Sequence, residues 1–256
     1  MVSESVLVTV RENVGVITLN RPDRRNALTM EMRTRLAEAL DGFDADPLVR
    51  VVILQAAPPA FCAGVDLSET VSSARDSSGE VPESVSAPFA RFTKPIFASV
   101  NGAAAGGGLE IALACDFIIA SSTAKFLLPE VRIGSIPGGG GTQRLARAVP
   151  RGVAARMLYT GDAMEVDEAL HHGLVTEVVP PDRLEARAYE LASHIGSNAP
   201  LSLAAIKQCL RVAATAPLDE GLLVERGLWA ELAVTDDRNE GRAAFREKRP
   251  PVFKGK

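Results

Sequence analysis

Between Lys94 and Glu110 the chain passes from an apolar stretch, Pro95–Val100, through the small residues of Asn101–Ala105, into Gly106-Gly107-Gly108-Leu109-Glu110. No other segment restricts the fold as much. The apolar stretch suits a buried strand. The glycines allow the backbone to come close to a neighbour or a ligand. The helix they open presents free N–H groups at the positive end of its dipole. A strand, a tight turn and a helix start in that order make a place where a negative oxygen can be held. Small residues also serve a tight strand-to-helix turn that binds nothing, so the glycines alone do not decide.

The rest of the chain reads as strands alternating with helices, then helices only. Val6–Val10 and Val14–Leu19 are β-branched runs, and the break Arg11-Glu12-Asn13 between them predicts a hairpin. Thr29 is placed to cap a helix whose apolar positions are Met32, Leu36, Ala39, Leu40 and Phe43, with Asp46-Pro47 as its stop. Val49–Leu54 reads as a buried strand, Phe117–Ala120 as another, and Leu174–Val179 as a third. Helices are expected from Gly106 to Ala114, from Thr142 to Val149, and near 151–159 and 165–171. Residues 68–88, rich in Ser, Glu and Pro, predict a mobile loop or a poorly ordered short helix. From Asp182 onward the pattern is helical, with breaks at Asn198-Ala199-Pro200, near Pro217 and at Asp236-Asp237. The expected division is an α/β core over residues 1–195 and a helical subdomain over 196–256.

Charge and composition exclude several roles. The 256 residues carry a net charge of −4, which opposes a general nucleic-acid or membrane-surface binder. The balance is uneven: residues 242–256 sum to about +5, leaving about −9 for the other 241. Cys62, Cys115 and Cys209 are odd in number and far apart, and His171, His172 and His194 do not combine with them at ligand spacing. That pattern predicts neither a disulfide framework nor a metal site. No apolar run approaches membrane-spanning length, and the N-terminus lacks the features of a signal peptide, so a cytoplasmic protein is expected.

Further motifs accompany the glycine-led helix. Ala60-Phe61-Cys62-Ala63-Gly64-Val65-Asp66-Leu67 follows the strand at 49–54; Pro129-Glu130 and Ile136-Pro137-Gly138-Gly139-Gly140-Gly141-Thr142-Gln143-Arg144-Leu145 come after it. With Asn20-Arg21-Pro22, Asn26-Ala27-Leu28, Thr160-Gly161-Asp162, Ala169–Val175, Thr235-Asp236-Asp237, Glu240-Gly241 and Phe245–Arg249, the chain resembles the enoyl-CoA hydratase/isomerase (crotonase) superfamily over nearly its whole length. The resemblance implies a crotonase-like spiral of ββα units with C-terminal helices that build a trimer or a dimer of trimers. It implies an oxyanion hole made by the backbone N–H groups of Val65 and Gly107. It implies that Glu130 delivers a proton to C2 of an enoyl thioester while Glu110 positions and activates water, with the Gly138 N–H as a further partner of that water. It places the coenzyme A contacts at Arg24, Arg25, Ala63, Val65, Asp66, Leu67, Phe245 and Lys248, the last two reaching the nucleotide in some relatives from a neighbouring subunit. Ser68 departs from the pattern, since some relatives carry a lysine there.

The expected reaction is reversible syn addition of water to a trans-2-enoyl-CoA, giving a 3-hydroxyacyl-CoA. Coenzyme A is then part of the substrate, and no separate cofactor or metal is expected. The rival on the same fold is a double-bond isomerase, which moves a proton from C2 to C4 and needs one carboxylate near position 130. A rival of another class is a non-catalytic acyl-CoA binder or scaffold, including an RNA-binding relative. A Ser–His–Asp hydrolase lacks its G-x-S-x-G, and a dinucleotide oxidoreductase lacks its G-x-G-x-x-G. Gly138–Gly141 is not a phosphate-binding P-loop, because Thr142-Gln143 stands where Lys-Ser/Thr is required.

Overall fold

The predicted hairpin opens the fold in the computed structural model, which describes residues 4–69 and 83–256. Strands β1 (Val6–Arg11) and β2 (Val14–Leu19) pair antiparallel, and β1 is an edge strand with only Val6 buried. Helix α1 (Met30–Ala45) starts where Thr29 accepts a hydrogen bond from Met32 N, and it buries the five apolar residues expected of it. It leads into β3 (Val51–Ala56). Part of the Ser/Pro-rich segment, residues 70–82, lies outside the described residues, so the loop expected there is described only at its ends. A short helix, α2 (Ala87–Arg91), follows it.

Next come β4 (Ile96–Val100), β5 (Ala103–Ala105), α3 (Gly107–Ala114), β6 (Phe117–Ser121) and β7 (Lys125–Leu127). After a 3-10 turn at Pro129–Ile133 come α4 (Gly141–Ala148), α5 (Arg151–Thr160), β8 (Met164–Glu165), α6 (Val166–His171) and β9 (Glu177–Val179). Among the described residues the main sheet has six strands in the order β1-β2-β3-β4-β6-β9, parallel throughout except for the first hairpin. A second sheet has three, in the order β5-β7-β8.

Both faces of the main sheet are covered at β2, β3, β4 and β6, which is why these strands are apolar without alternation. Val52 and Leu54 of β3 face the larger core with Ile17, Leu19, Ile96 and Phe61. Val51 and Ile53 face the other way, with Val14, Val16, Phe97 and Ile119. Helix α7 (Leu184–Gly196) closes that second face with Leu184, Ala188 and Ala192, one helical turn apart. Beyond it lie α8 (Pro200–Ala213), α9 (Leu218–Leu232) and α10 (Asp236–Glu247).

Two expectations change. The second sheet was not anticipated: β5 is three alanines that read as a turn, and β7 and β8 are too short to show a pattern. The strand expected from Leu174 begins only at Glu177, because Leu174 N and Val175 N both donate to Ala169 O of α6 and so do not join the ladder. The overall α/β class, with helices alone after β9, is as the sequence predicts.

Candidate active site

The site forms where β5 turns into α3. Gly106 caps α3 with φ +50°, a left-handed conformation that favours glycine, and a Cβ there would fall 2.8 Å from Glu130 Oε1. Its own N–H donates to Leu127 O at 2.9 Å. The loop Ala60–Leu67 is stitched to this turn from two sides. Cys62 N donates to Ala103 O (3.1 Å) and Ala105 N to Cys62 O (2.8 Å). On the other side Ala63 N donates to Arg25 O (2.9 Å), Leu28 N to Gly64 O (2.7 Å) and Asp66 N to Leu28 O (2.9 Å).

Val65 and Gly107 donate in none of these bonds. Among the described residues neither the Val65 N–H nor the Gly107 N–H has an acceptor. They are near neighbours: a Cβ on Gly107 would lie 3.6 Å from Val65 N, and one on Gly64 would lie 3.6 Å from Gly107 N. Two unpaired backbone donors side by side, one in the first turn of a helix, are suited to an oxygen that gains negative charge.

Both glutamates reach the same place from different elements. Glu110, in the first turn of α3, is 3% exposed. Its Oε1 accepts from Gly139 N at 2.6 Å and from Gly141 N at 2.9 Å. Glu130 stands in the 3-10 turn after β7, half-buried, and among the described residues its buried Oε2 has no hydrogen-bond partner. Burial pushes the Glu130 carboxyl above the ordinary carboxylate range; its own backbone N–H works against this, and the charge of Glu110 adds to it. The charge of Glu110 thus acts on Glu130, whose Oε1 lies against Gly106, the residue before Gly107.

Gly138 is exposed, nothing lies within 4 Å of its Cβ position, and its N–H has no acceptor among the described residues. The glycines that hold Glu110 are its neighbours Gly139 and Gly141, which sequence reasoning did not single out. Their only signal was the length of the glycine run. Arg21 was also missed as a partner: its Nη1 donates to Ala27 O (2.6 Å) and pairs with Asp66 Oδ2 (3.0 Å). The Asp66 carboxyl accepts from the Ser68 hydroxyl and Ser68 N, and with Arg21 these hold its pKa down at about 2. Asn26, fully buried, accepts from Arg21 N and donates to Ala57 O and Ala60 O, tying the 21–28 segment to the loop.

Arg24 and Arg25 are exposed, and neither has an ion-pair partner among the described residues. Arg24 borders a polar cavity of about 530 Å³ with Arg21, Asn20, Thr29 and Glu69. Ala63 and Leu67 are exposed on the loop that carries Val65. Phe245 and Lys248 are not brought to this site within one protomer. Phe245 is 86% exposed and lines a groove of about 780 Å³ with Trp229, Arg238, Arg242 and Phe253, none of them at the glutamates. Lys248 is the left-handed cap of α10.

Comparison with known proteins gives a consistent result. The family model described as "Enoyl-CoA hydratase/isomerase" matches residues 9–256. The chain is 42% identical over 259 residues to (E)-benzylidenesuccinyl-CoA hydratase of Thauera aromatica, covering 98% of this chain and 99% of that one. It is 39% identical over 254 residues to 2,3-dehydroadipyl-CoA hydratase of Escherichia coli, with coverage of 98% and 99%. The crystal structure of an enoyl-CoA hydratase from Bacillus anthracis superposes with a TM-score of 0.91 at 35% identity, over 99% of this chain and 100% of that one. The chain belongs to the enoyl-CoA hydratase/isomerase family and has the crotonase fold.

Proposed function

We propose that this member of the family is an enoyl-CoA hydratase that adds water across C2=C3 of a trans-2-enoyl-CoA, using Glu110 and Glu130 as its acid/base pair. The observation that carries the mechanism is a carboxyl under the charge of its neighbour, next to two unpaired backbone donors. The thioester oxygen lies between the Val65 and Gly107 N–H groups, which stabilise the enolate as charge builds on it. Glu130, whose proton is harder to lose because of burial and the charge of Glu110, delivers a proton to C2. Water held by Glu110, with the exposed Gly138 N–H as a further donor, adds its oxygen to C3. The proton released by that water returns to the pair, which ends the turnover with the number it began with. Hydration needs only these groups and water; coenzyme A enters as part of the substrate.

The phosphates of coenzyme A meet Arg24 and Arg25, and the loop of Ala63, Val65, Asp66 and Leu67 receives the adenine side. Phe245 and Lys248 come from a second copy. The exposed apolar surface supports such an assembly: α9 has no buried residue, and Leu210, Leu218, Leu223 and Trp229 are all more than 60% exposed. An apolar groove of about 590 Å³ runs between α8 and α9. We read residues 196–256 as the part that joins copies into a trimer or a dimer of trimers, and the protein as cytoplasmic. Among the described residues no helix is long and apolar enough to cross a membrane.

Purified protein given a short-chain trans-2-enoyl-CoA should bleach the enoyl-thioester absorbance, and Glu110→Gln and Glu130→Gln should each slow this by about 10²–10⁴-fold. Near-equal activity in both variants sinks the assignment. A double-bond shift without net hydration favours the isomerase, and binding without turnover favours the scaffold. Native mass measurement tests the trimer.

A further inference from the structure

The N–H groups that hold Glu110 belong to Gly138–Gly141, and four glycines in a row order themselves less than any other backbone. Something outside the run must fix it. Arg144 folds its guanidinium back over the start of α4, where Nη1 donates to Gly139 O at 2.8 Å and to Ser86 Oγ at 2.9 Å. Ser86, 1% exposed, donates its own hydroxyl proton to the same Gly139 O. Gly139 is thereby held at both ends, its carbonyl by Arg144 and Ser86 and its N–H by Glu110. Gly140, with φ +98°, leaves the space in which the guanidinium lies, since a Cβ there would strike Arg144 Nη1.

This is an unfavourable place for a cation by the ordinary rules. The first turn of a helix is the positive end of its dipole, where acids are favoured and arginines are not. Half-burial also weakens the protonated guanidinium, and the charge of Glu110 offsets that loss. Stabilising α4 does not explain an arginine here. Fixing the Gly139 peptide does.

We propose that Arg144 and Ser86 are positioning residues for hydration: they fix the Gly139 peptide, and through it the Glu110 carboxylate, in the orientation that presents water to C3. This rests on the reading of Glu110 as the group that holds the water.

The test uses Arg144→Met, Arg144→Lys and Ser86→Ala, each alone and combined with Glu110→Gln, assayed for kcat and KM with a short-chain enoyl-CoA. Arg144→Met should lower kcat by about 10–100-fold with KM changed less than about threefold, as expected for a misplaced catalytic group. Arg144→Lys should recover part of the kcat, because an ammonium keeps the charge and one donor but not the planar fork. Ser86→Ala should lower kcat by a smaller factor, roughly threefold to tenfold, since one of two donors to Gly139 O remains. In the Glu110→Gln background Arg144→Met should change kcat less than about twofold, because the group it positions has gone. An equal loss in both backgrounds, or a rise in KM alone, overturns the proposal. If Arg144→Met does not fold, Ser86→Ala decides by the same comparison. Glu110→Gln at wild-type activity overturns the underlying reading of Glu110. A weak Glu110→Gln with Arg144→Met and Ser86→Ala at wild-type kcat overturns only the positioning role.

Discussion

Gly108→Ala should damage catalysis far more than stability, and the reason lies in one contact. A Cβ on Gly108 would lie 2.5 Å from Cys62 O and 2.6 Å from Cys62 Cβ. An ordinary carbon–oxygen contact is about 3.3 Å, so the loop and the helix must part by about 0.8 Å. That seam is the one that sets Val65 N–H beside Gly107 N–H, since Cys62 pairs with β5 and Gly107 precedes the substituted residue. A displacement near 1 Å is enough to cost about 10²-fold in rate, or about 2.7 kcal/mol of transition-state stabilisation. The stability terms oppose each other. Overpacking a core contact costs about 1–3 kcal/mol. Alanine in place of glycine in a helix returns about 1 kcal/mol. The net fall is about 1 kcal/mol, which would lower Tm by about 2–4 °C. Gly42→Ala is the matched control: Gly42 lies inside α1 with nothing within 4 Å of its Cβ position, so it should gain stability and keep full activity. Kinetics with a short-chain enoyl-CoA, beside thermal unfolding of both variants, makes the comparison. Gly108→Ala with kcat within twofold of wild type would refute the claim that this seam positions the donors.

On the proposed role of Glu130 as the acid, activity should fall as pH rises through its raised pKa; removing the neighbouring charge with Glu110→Gln should move that basic limb of the residual rate to lower pH, and an unmoved limb would show that the charge of Glu110 does not act on Glu130. Lys207, 5% exposed, donates to Lys94 O and pairs with Asp116 Oδ2 at 3.1 Å, which fastens α8 to the core. Asp116→Asn should leave that ammonium buried without a counter-charge and cost about 3 kcal/mol in denaturant unfolding, most of it recovered when Lys207→Met is added; an unchanged midpoint in the single variant counts against it. Asp66 has a folded pKa held at about 2, below its unfolded value, so its contribution is present above the unfolded pKa and is lost as pH falls. The urea midpoints of wild type and Asp66→Asn should therefore differ at neutral pH and converge between about pH 4 and pH 2, and a difference that grows with acidity would contradict the sign.

Much of this protein is written in short stretches of its sequence. The hairpin, the Thr29 cap, the apolar stripe of α1 and the glycine-led start of α3 follow from neighbouring residues, because propensity and periodicity act over a few positions. The motif order likewise pointed to the family and to both glutamates. Tertiary structure decided what the motifs do to one another. It paired three alanines with β7 into a second sheet, set Arg21 against Asp66, and gave Glu110 the N–H groups of Gly139 and Gly141. It also left Phe245 and Lys248 away from the glutamates of their own chain, at the end of a helical region whose apolar surface is uncovered. The physical reason is the same in each case. Residue type is local, but the direction of an N–H, the space beside a glycine and the charge felt by a carboxyl depend on segments that meet only when the chain has packed.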